Sequence, residues 1–356
     1  MSRWMKLNAP TSRMMLLSVA AATALVSAAA CGGGSESTGG AGGTGTGTTT
    51  GTSPTTTGTG GTNTGGSMGS GMLTSVAPAG TDAAFARAFD ATMSNDGSIV
   101  YFTGIGPNGA GVFSVPAKGG TITPVVVGAP FVAPFGIAMS TDGKKLYVAD
   151  PAATGSTLEE GRIVAVDPEM GTVSPLSGSD DILPRGLDVV AVDGADQLYF
   201  SGTKAGKAAL FQMPASGGTP KEVASGALID PEGVAATKNG KVYVLDARGS
   251  KTQRANVYVY DGSSLTEFIT DVRVGYPAGI ALSLDEKSLL ISSLDATKGS
   301  STLTIIDIFS KEPTFFPGDA SLDKKLEPGG LHRARNAQAF AWVSYDEAGG
   351  SVLVAK

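Results

Sequence analysis

Apolar and polar residues alternate along most of this chain in short runs typical of β-strands, and one such phrase recurs. The stretch FGIAMSTDGKKLYVAD at 135–150 has two apolar runs separated by a polar Thr-Asp-Gly turn, which is typical of a β-hairpin. Related phrases begin at 89, 185, 232, 278 and 329. In five copies a proline and then a glycine two residues later mark the start, and these glycines lie 50, 47, 46 and 51 residues apart. A period in this range predicts a repeat architecture.

Each repeat predicts four short strands. The hairpin is followed by a third apolar run, as in GRIVAVD at 161–167, and by a weaker fourth run such as KEVAS at 221–225. No segment has the apolar spacing of an amphipathic helix. Four antiparallel strands per repeat predict the blade of a β-propeller. Its innermost strands meet at one axis, which explains small residues such as Gly136 and Ala138 at these positions.

The length of the repeat region sets the number of blades. At this period, residues 72–356 predict an all-β, six-bladed propeller of four-stranded antiparallel blades. The last repeat has only three strands of its own: one at Gly330, then AFAWVSY, then SVLVAK. The segment MLTSVA at 72–77 is therefore predicted to supply the fourth, so that strands from both chain ends close the ring and leave no open edge.

The N-terminal region has the layout of an export signal. Residues 1–30 carry three positive charges and then a 17-residue apolar run that is short for a lasting membrane span. The following SAAAC resembles the lipobox of bacterial lipoproteins, which implies lipidation of Cys31, the only cysteine. The alternative is ordinary cleavage after Ala-x-Ala. Three glycines and no aspartate follow Cys31, which resembles lipoproteins sent to the outer membrane.

Composition separates a tether from the folded part and excludes one class of partner. Residues 31–71 are almost entirely Gly, Thr and Ser, so we expect a disordered linker after the lipidated cysteine. The formal charge is −6, and removal of the three positive residues of the signal leaves −9. We therefore expect no nucleic-acid partner, because phosphate binding needs basic surface.

The repeat phrase resembles six-bladed propellers of the NHL and SMP-30/gluconolactonase type, with some likeness to the seven-bladed YVTN repeats of surface layers. The resemblance covers nearly all of residues 72–356. It implies that a ligand would bind where the inner strands begin, which we name the channel mouth. The residues expected near this face, as candidates for ligand binding, are Phe89, Phe135, Arg185, Asp188, Glu232 and His332.

The SMP-30-like lactonases hold a divalent metal at this mouth position, and the resemblance implies a candidate calcium site. Only Glu232, in the phrase DPEG, matches a ligand of that family; the other matching positions carry Phe135, Arg185 and Ala278. Acids that follow the second strands are further candidates: Asp150, Asp246 and Asp295. Aspartates at strand ends also commonly accept turn hydrogen bonds, and this second interpretation stays open.

The remaining candidates each have a structural alternative. Arg185 and Glu232 occupy the same position in adjacent repeats, which favours an ion pair between blades over a catalytic pair. His332 is the only histidine, so it is either a general base or a hydrogen-bonded structural residue, and a zinc site of the usual kind is excluded. Phe89 and Phe135 form either an apolar platform for a ligand or a plug in the channel.

The sequence favours a binding function over an enzymatic one. We expect a lipoprotein of the bacterial outer membrane, facing the periplasm or the cell surface. Its propeller would act as an interaction module for a protein or a carbohydrate-like ligand, without a required cofactor. The alternative is a metal-dependent lactonase or related hydrolase centred on Glu232, with a divalent cation such as Ca²⁺.

Substitution Cys31→Ser tests the lipid anchor. The variant should leave the membrane fraction and appear in the soluble fraction, because it lacks the thiol that carries the acyl chains. Fractionation and immunoblotting measure the change. Equal retention of Cys31→Ser and the unmodified protein in membranes would rule out anchoring through this residue.

Overall fold

The computed structural model of the chain describes residues 74–78, 87–153, 161–248, 254–272, 279–294, 301–315, 327–346 and 349–356. The predicted signal, Cys31, the linker, Ala278 and Asp295 lie outside these residues. Every regular element within them is a β-strand. None of the described segments forms a helix long and apolar enough to cross a membrane.

The strands follow one another in groups of four that match the predicted repeats. The first half of the chain contains β1 (Thr74–Pro78), β2 (Arg87–Met93), β3 (Ile99–Gly106), β4 (Gly109–Pro116), β5 (Thr123–Val127), β6 (Gly136–Met139), β7 (Leu146–Asp150), β8 (Arg162–Val166), β9 (Val173–Pro175), β10 (Leu183–Val192), β11 (Ala195–Lys204) and β12 (Lys207–Pro214). The second half contains β13 (Lys221–Ser225), β14 (Pro231–Ala236), β15 (Val242–Asp246), β16 (Ala255–Tyr260), β17 (Leu265–Val272), β18 (Gly279–Leu282), β19 (Ser288–Leu294), β20 (Ser301–Asp307), β21 (Pro313–Phe315), β22 (Glu327–Arg333), β23 (Phe340–Asp346) and β24 (Gly349–Ala355).

These strands form six antiparallel sheets of four strands each, so the predicted six-bladed propeller is confirmed. Blades 1 to 5 are β2–β5, β6–β9, β10–β13, β14–β17 and β18–β21, each in simple sequence order. Blade 6 is ordered β1-β24-β23-β22. The inner strands β2, β6, β10, β14, β18 and β22 contact one another in that order, and β22 contacts β2 again.

Local chemistry explains why the recurring phrase forms a hairpin. In blade 2, Gly143 takes φ +76°, a conformation that suits glycine, and its N–H donates to the carbonyl of Ser140. The carboxylate of Asp142 accepts hydrogen bonds from Ser140 Oγ at 2.8 Å and from the Lys144 N–H at 3.0 Å. The hydrogen bond from the Lys144 N–H and then that from Ser140 lower the pKa of Asp142. The Asp-Gly turn thus places β6 against β7, as predicted.

Neighbouring blades pack through apolar layers and approach closely at the axis. One layer joins blades 1 and 6 through Phe102, Phe113 and Val343, and another joins blades 2 and 3 through Ile163 and Phe200. At the axis there is no room for larger residues. A Cβ atom on Gly233 would lie 2.8 Å from the backbone nitrogen of Ile280, and one on Gly136 or Gly279 would overlap the next inner strand even more. The glycines of the repeat are therefore required by the convergence of the inner strands.

The two ends of the described propeller meet in blade 6. Strand β1 pairs antiparallel with β24, with Thr74 opposite Val354 and Pro78 opposite Ser351. The strand predicted at 72–77 therefore completes the last blade. The closed arrangement leaves β24 paired on both sides.

Truncation tests the contribution of this closure. A chain that begins at residue 79 lacks β1 and should unfold at a lower temperature and denaturant concentration than a chain that begins at residue 72. Counting one backbone hydrogen bond for each of the four residue pairs, at about 0.5–1.5 kcal/mol net, loss of this ladder should cost about 2–6 kcal/mol. Urea unfolding followed by circular dichroism measures it. Equal midpoints for the two chains would mean that β1 does not stabilise the ring.

Candidate functional site

The channel mouth is shaped by irregular pairing at the start of the inner strands. The register shifts between Pro184 and Leu187 in β10, between Pro231 and Val234 in β14, and between Pro328 and Leu331 in β22. Proline has no N–H to donate, and a bulge bends the strand and redirects its side chains. The residues between proline and glycine therefore leave the regular ladder at the channel mouth.

Blades 1 and 2 contribute an aromatic pair to the mouth. The rings of Phe89 and Phe135 meet edge to face with centroids 5.1 Å apart. The guanidinium carbon of Arg87 lies 5.2 Å from the centroid of Phe89. Phe89 is only 8% exposed, whereas Phe135 is partly exposed. Phe89 is thus largely a packing residue, and Phe135 offers the accessible part of the aromatic surface.

Blades 3 and 4 contribute a charged network to the mouth. Arg185 Nη1 lies 2.7 Å from Asp230 Oδ1 and 3.8 Å from Glu232 Oε1. Arg248 Nε lies 3.5 Å from Asp230 Oδ2. The predicted ion pair of Arg185 with Glu232 is therefore present, but the shorter contact is with Asp230. The side chains remain 14–39% exposed, so the network is accessible to a ligand.

Asp150 and Asp246 perform the same structural task in two blades. Asp150 is fully buried and accepts hydrogen bonds from the N–H groups of Val132, Ala133 and Ala152. Asp246 accepts them from Ile229, Asp230 and Arg248. Burial raises the pKa of Asp150, although these N–H donors act in the opposite direction. Each carboxylate therefore joins the segment before the inner strand of its blade to the segment after the second strand.

The described residues give limited support to a metal at the mouth. Within them, no three His, Cys, Asp or Glu side chains converge in a way that could hold a metal ion. Asp295, one of the candidates, lies outside the described part of the chain. The predicted ligand role of Glu232 therefore stays a prediction.

Further along the channel, the structure joins Asp90 and His332. His332 Nε2 lies 3.2 Å from Asp90 Oδ2, which also accepts the Ile137 N–H at 2.9 Å. Asp90 Oδ1 accepts the N–H of Ala91 at 2.7 Å. These contacts connect blades 6, 1 and 2 where the ring closes. His332 is only 9% exposed, and it lies two residues beyond Gly330 along β22.

Asp188 and Arg335 form a second polar cluster beside this one. Asp188 accepts the N–H of Val189 at 2.7 Å and that of Ala236, in the next blade, at 2.8 Å. Arg335 Nη2 lies 3.9 Å from Asp188 Oδ1. The same nitrogen donates to the carbonyls of Met139 and Val189, each at 2.7 Å. Arg335 follows β22 in blade 6, so its side chain crosses the channel to blades 2 and 3.

Sequence reasoning missed Asp90, Asp230 and Arg335. Asp90 occupies the position at which the five other repeats have glycine, so its departure from the repeat was a usable signal. Gly330 of blade 6 makes room for it, because a Cβ there would overlap the Asp90 carboxylate. Asp230 lies two residues before Glu232, immediately before the bulged strand β14. No sequence signal indicated that Arg335 would cross the axis.

A small cavity lies between these clusters, towards the ends of the inner strands. Its volume is about 50 Å³. The polar side chains that line it belong to Thr92, Asp188, His332, Arg333 and Arg335. Asp188 and His332, predicted near the mouth, therefore line this deeper space, which we name the channel cavity.

The charges around His332 favour its protonated form. Burial acts to lower the pKa of His332, but the negative charge and hydrogen bond of Asp90, and then the charge of Asp188, outweigh burial and the opposing charge of Arg335. The pKa of His332 is therefore raised above its ordinary value of 6.5. This shift favours an imidazolium that donates to Asp90.

Known proteins share the fold but identify no family for this chain. No family model matches the sequence, and no curated protein matches it. A gluconolactonase from Xanthomonas campestris is 16% identical with a TM-score of 0.55, covering 81% of this chain and 90% of that one. A chain in a crystal structure of the nidogen/laminin complex is 16% identical with a TM-score of 0.54, covering 70% and 85%. At such identities the likeness shows a common propeller fold, and fold alone does not set function.

The His332–Asp90 pair predicts a pH-dependent stability. A histidine whose pKa is higher in the folded than in the unfolded chain makes its full contribution to folding stability below about pH 6.5. This contribution is lost as pH rises through the pKa of the folded state. Unfolding midpoints should therefore fall as pH rises above about 6.5. The substitution His332→Gln should make the midpoint less dependent on pH. Because the chain has one histidine, a wild-type midpoint that is constant or rises over this range would contradict the assignment.

Proposed function

We propose that this protein is a binding module of the bacterial cell envelope that holds its ligand at the channel mouth. Lipidation of Cys31 would tether it to the outer membrane through the Gly/Thr-rich linker. The bound molecule would be a protein segment or a carbohydrate-like ligand. No chemical conversion of the ligand is required in this proposal.

The observation that carries the proposal is the division of the mouth into an aromatic half and a charged half. Phe135 offers a partly exposed ring beside Phe89, and Arg185 and Arg248 present guanidinium groups held by Asp230. Aromatic and arginine side chains supply much of the energy in protein interfaces, and planar polar groups beside a ring suit sugars as well as peptides. In blades 5 and 6 the corresponding positions carry the small residues Ala278 and Gly329.

The similarity to a chain of the nidogen/laminin complex is consistent with a protein ligand, since that structure is of a protein complex. A carbohydrate-like ligand remains the second class within the same proposal. The charged network favours ligands that can both donate and accept hydrogen bonds, because it presents guanidinium and carboxylate groups side by side.

The second candidate function is a metal-dependent lactonase centred on Glu232. It is favoured by the fold shared with the gluconolactonase from Xanthomonas campestris and by the place of Glu232 at the mouth. Against it, Glu232 lies 3.8 Å from Arg185, and the strand-end acids Asp150 and Asp246 are occupied by backbone N–H groups. A calcium ion needs about six to eight oxygen ligands, which makes this candidate the weaker one.

Binding should depend on both halves of the mouth. Phe135→Ser and Arg248→Glu should each weaken ligand binding at least tenfold, equivalent to about 1.4 kcal/mol, because each removes one accessible half of the proposed contact. A glycan array and a set of purified envelope proteins from the same cells, probed with the mature chain, separate the two ligand classes.

The matched control is Phe309→Ser, which alters a ring that is 98% exposed in the turn after β20, away from the mouth. It should bind as the unmodified protein does. If all three variants bind a captured ligand equally, that ligand does not use the mouth and the proposal fails.

The enzymatic candidate has a separate test. Purified protein would be dialysed, analysed for bound metal, and assayed for lactone hydrolysis with and without EDTA. Under the lactonase reading, Glu232→Gln should reduce hydrolysis by about 100-fold or more while the circular dichroism spectrum is kept. Activity that is unaffected by EDTA and by Glu232→Gln would exclude this role for Glu232.

A further inference from the structure

The channel cavity is distinct from the mouth and contains more positive than negative charge. Its lining includes Arg333, Arg335 and His332, against the carboxylate of Asp188. Asp90 contacts His332 directly and adds a second negative charge. With His332 protonated, these five groups carry a net charge of +1, inside a chain whose formal net charge is −6.

The acceptors around the cavity are already used. Each oxygen of Asp188 accepts a backbone N–H, from Val189 and from Ala236. Both oxygens of Asp90 likewise accept backbone N–H groups, and one also meets His332. These carboxylates therefore have little capacity left to bind a cation. They serve as hydrogen-bond acceptors for backbone N–H groups of the inner strands.

The donors are in surplus. Arg335 uses Nε and Nη2 for backbone carbonyls, and Arg333 uses Nε and Nη1 for others. Neither Nη1 of Arg335, Nη2 of Arg333 nor Nδ1 of His332 has a hydrogen-bond partner among the residues that the structure describes. Thr92 adds a hydroxyl to the same lining. A ligand that only accepts hydrogen bonds would complement this lining.

We propose that the channel cavity binds a small monovalent anion, of the size of a halide or formate, between His332, Arg333 and Arg335. A volume of about 50 Å³ admits such an ion together with one or two waters. One net positive charge balances a single negative charge, so a dianion would be left with uncompensated charge. This site is independent of the function proposed for the mouth.

Anion binding would strengthen the closed ring. Arg335 joins blade 6 to the carbonyls of blades 2 and 3, and Arg333 joins it to the Leu282 carbonyl of blade 5. An anion that contacts both guanidinium groups would hold four blades together around the axis. It would also offset the repulsion between these two cations and His332.

The test uses bromide as the probe. Crystals of the mature protein at pH 5.5 in sodium bromide should show an anomalous scattering peak within hydrogen-bond distance of Arg335 and His332. In solution, bromide should lower the unfolding equilibrium constant by the factor 1 + [bromide]/Kd, so that the stabilisation rises with the logarithm of bromide concentration above Kd. Sodium gluconate of equal ionic strength should not have this effect. Absence of the anomalous peak at saturating bromide would overturn the proposal.

Two comparisons separate the site from general salt effects. Arg335→Met should abolish the bromide-specific stabilisation, whereas Arg162→Met, which changes a partly exposed arginine paired with Asp180, should keep it. If Arg335→Met does not fold, the pH dependence of the unmodified protein decides. The stabilisation should decrease once His332 loses its proton, because the net positive charge of the lining falls by one. Bromide stabilisation that is equal in both variants, or equal at low and high pH, would refute the site.

Discussion

Convergence of six inner strands on one axis is the constraint on which the rest of this structure depends. The blades approach so closely there that a single Cβ atom on Gly136, Gly186 or Gly279 would overlap the next strand. At these positions a side chain fits at the axis only where the neighbouring inner strand has glycine. Gly330 opposite Asp90 is the clearest instance, because the space left by the glycine is occupied by the carboxylate.

The same constraint explains the aspartates of the channel interior. The inner edge of each inner strand presents backbone N–H groups with no further strand to accept them. Asp90 accepts the Ile137 N–H and Asp188 accepts the Ala236 N–H, so each carboxylate caps the inner edge of the next blade. Buried N–H groups without acceptors would destabilise the folded protein. These carboxylates therefore stabilise the channel as well as adding negative charge to it.

Much of the fold could be predicted from the sequence because similar residue types recur at equivalent positions of successive repeats. Turn residues and apolar strands recur along the repeats, and the axial glycine recurs in five of the six blades. The incomplete last repeat indicated that the strand near 72–77 would close the ring. Contacts between non-equivalent positions could not be predicted in this way. Asp90 and His332 are 242 residues apart in sequence and meet only because the ring closes. Arg185 was expected to pair with Glu232, but the bulge at Pro231 also brings Asp230 to it, at the shorter distance.

Departures from the repeat therefore locate the chemistry of this propeller better than residue type does. Asp150 and Asp246 have the residue type expected of metal ligands, yet they occupy equivalent positions and make equivalent loop contacts, as a repeated structural role requires. Asp90 occupies a position where the other five blades have glycine. Asp188 and His332 occupy one where three of the other four blades have alanine, and all three side chains belong to the polar interior. The Arg185 network also has no equivalent in blades 1 and 2, where phenylalanines stand instead. Residues with structural roles recur in several blades. A single binding site, in contrast, must be built from side chains that are present in only one or two blades.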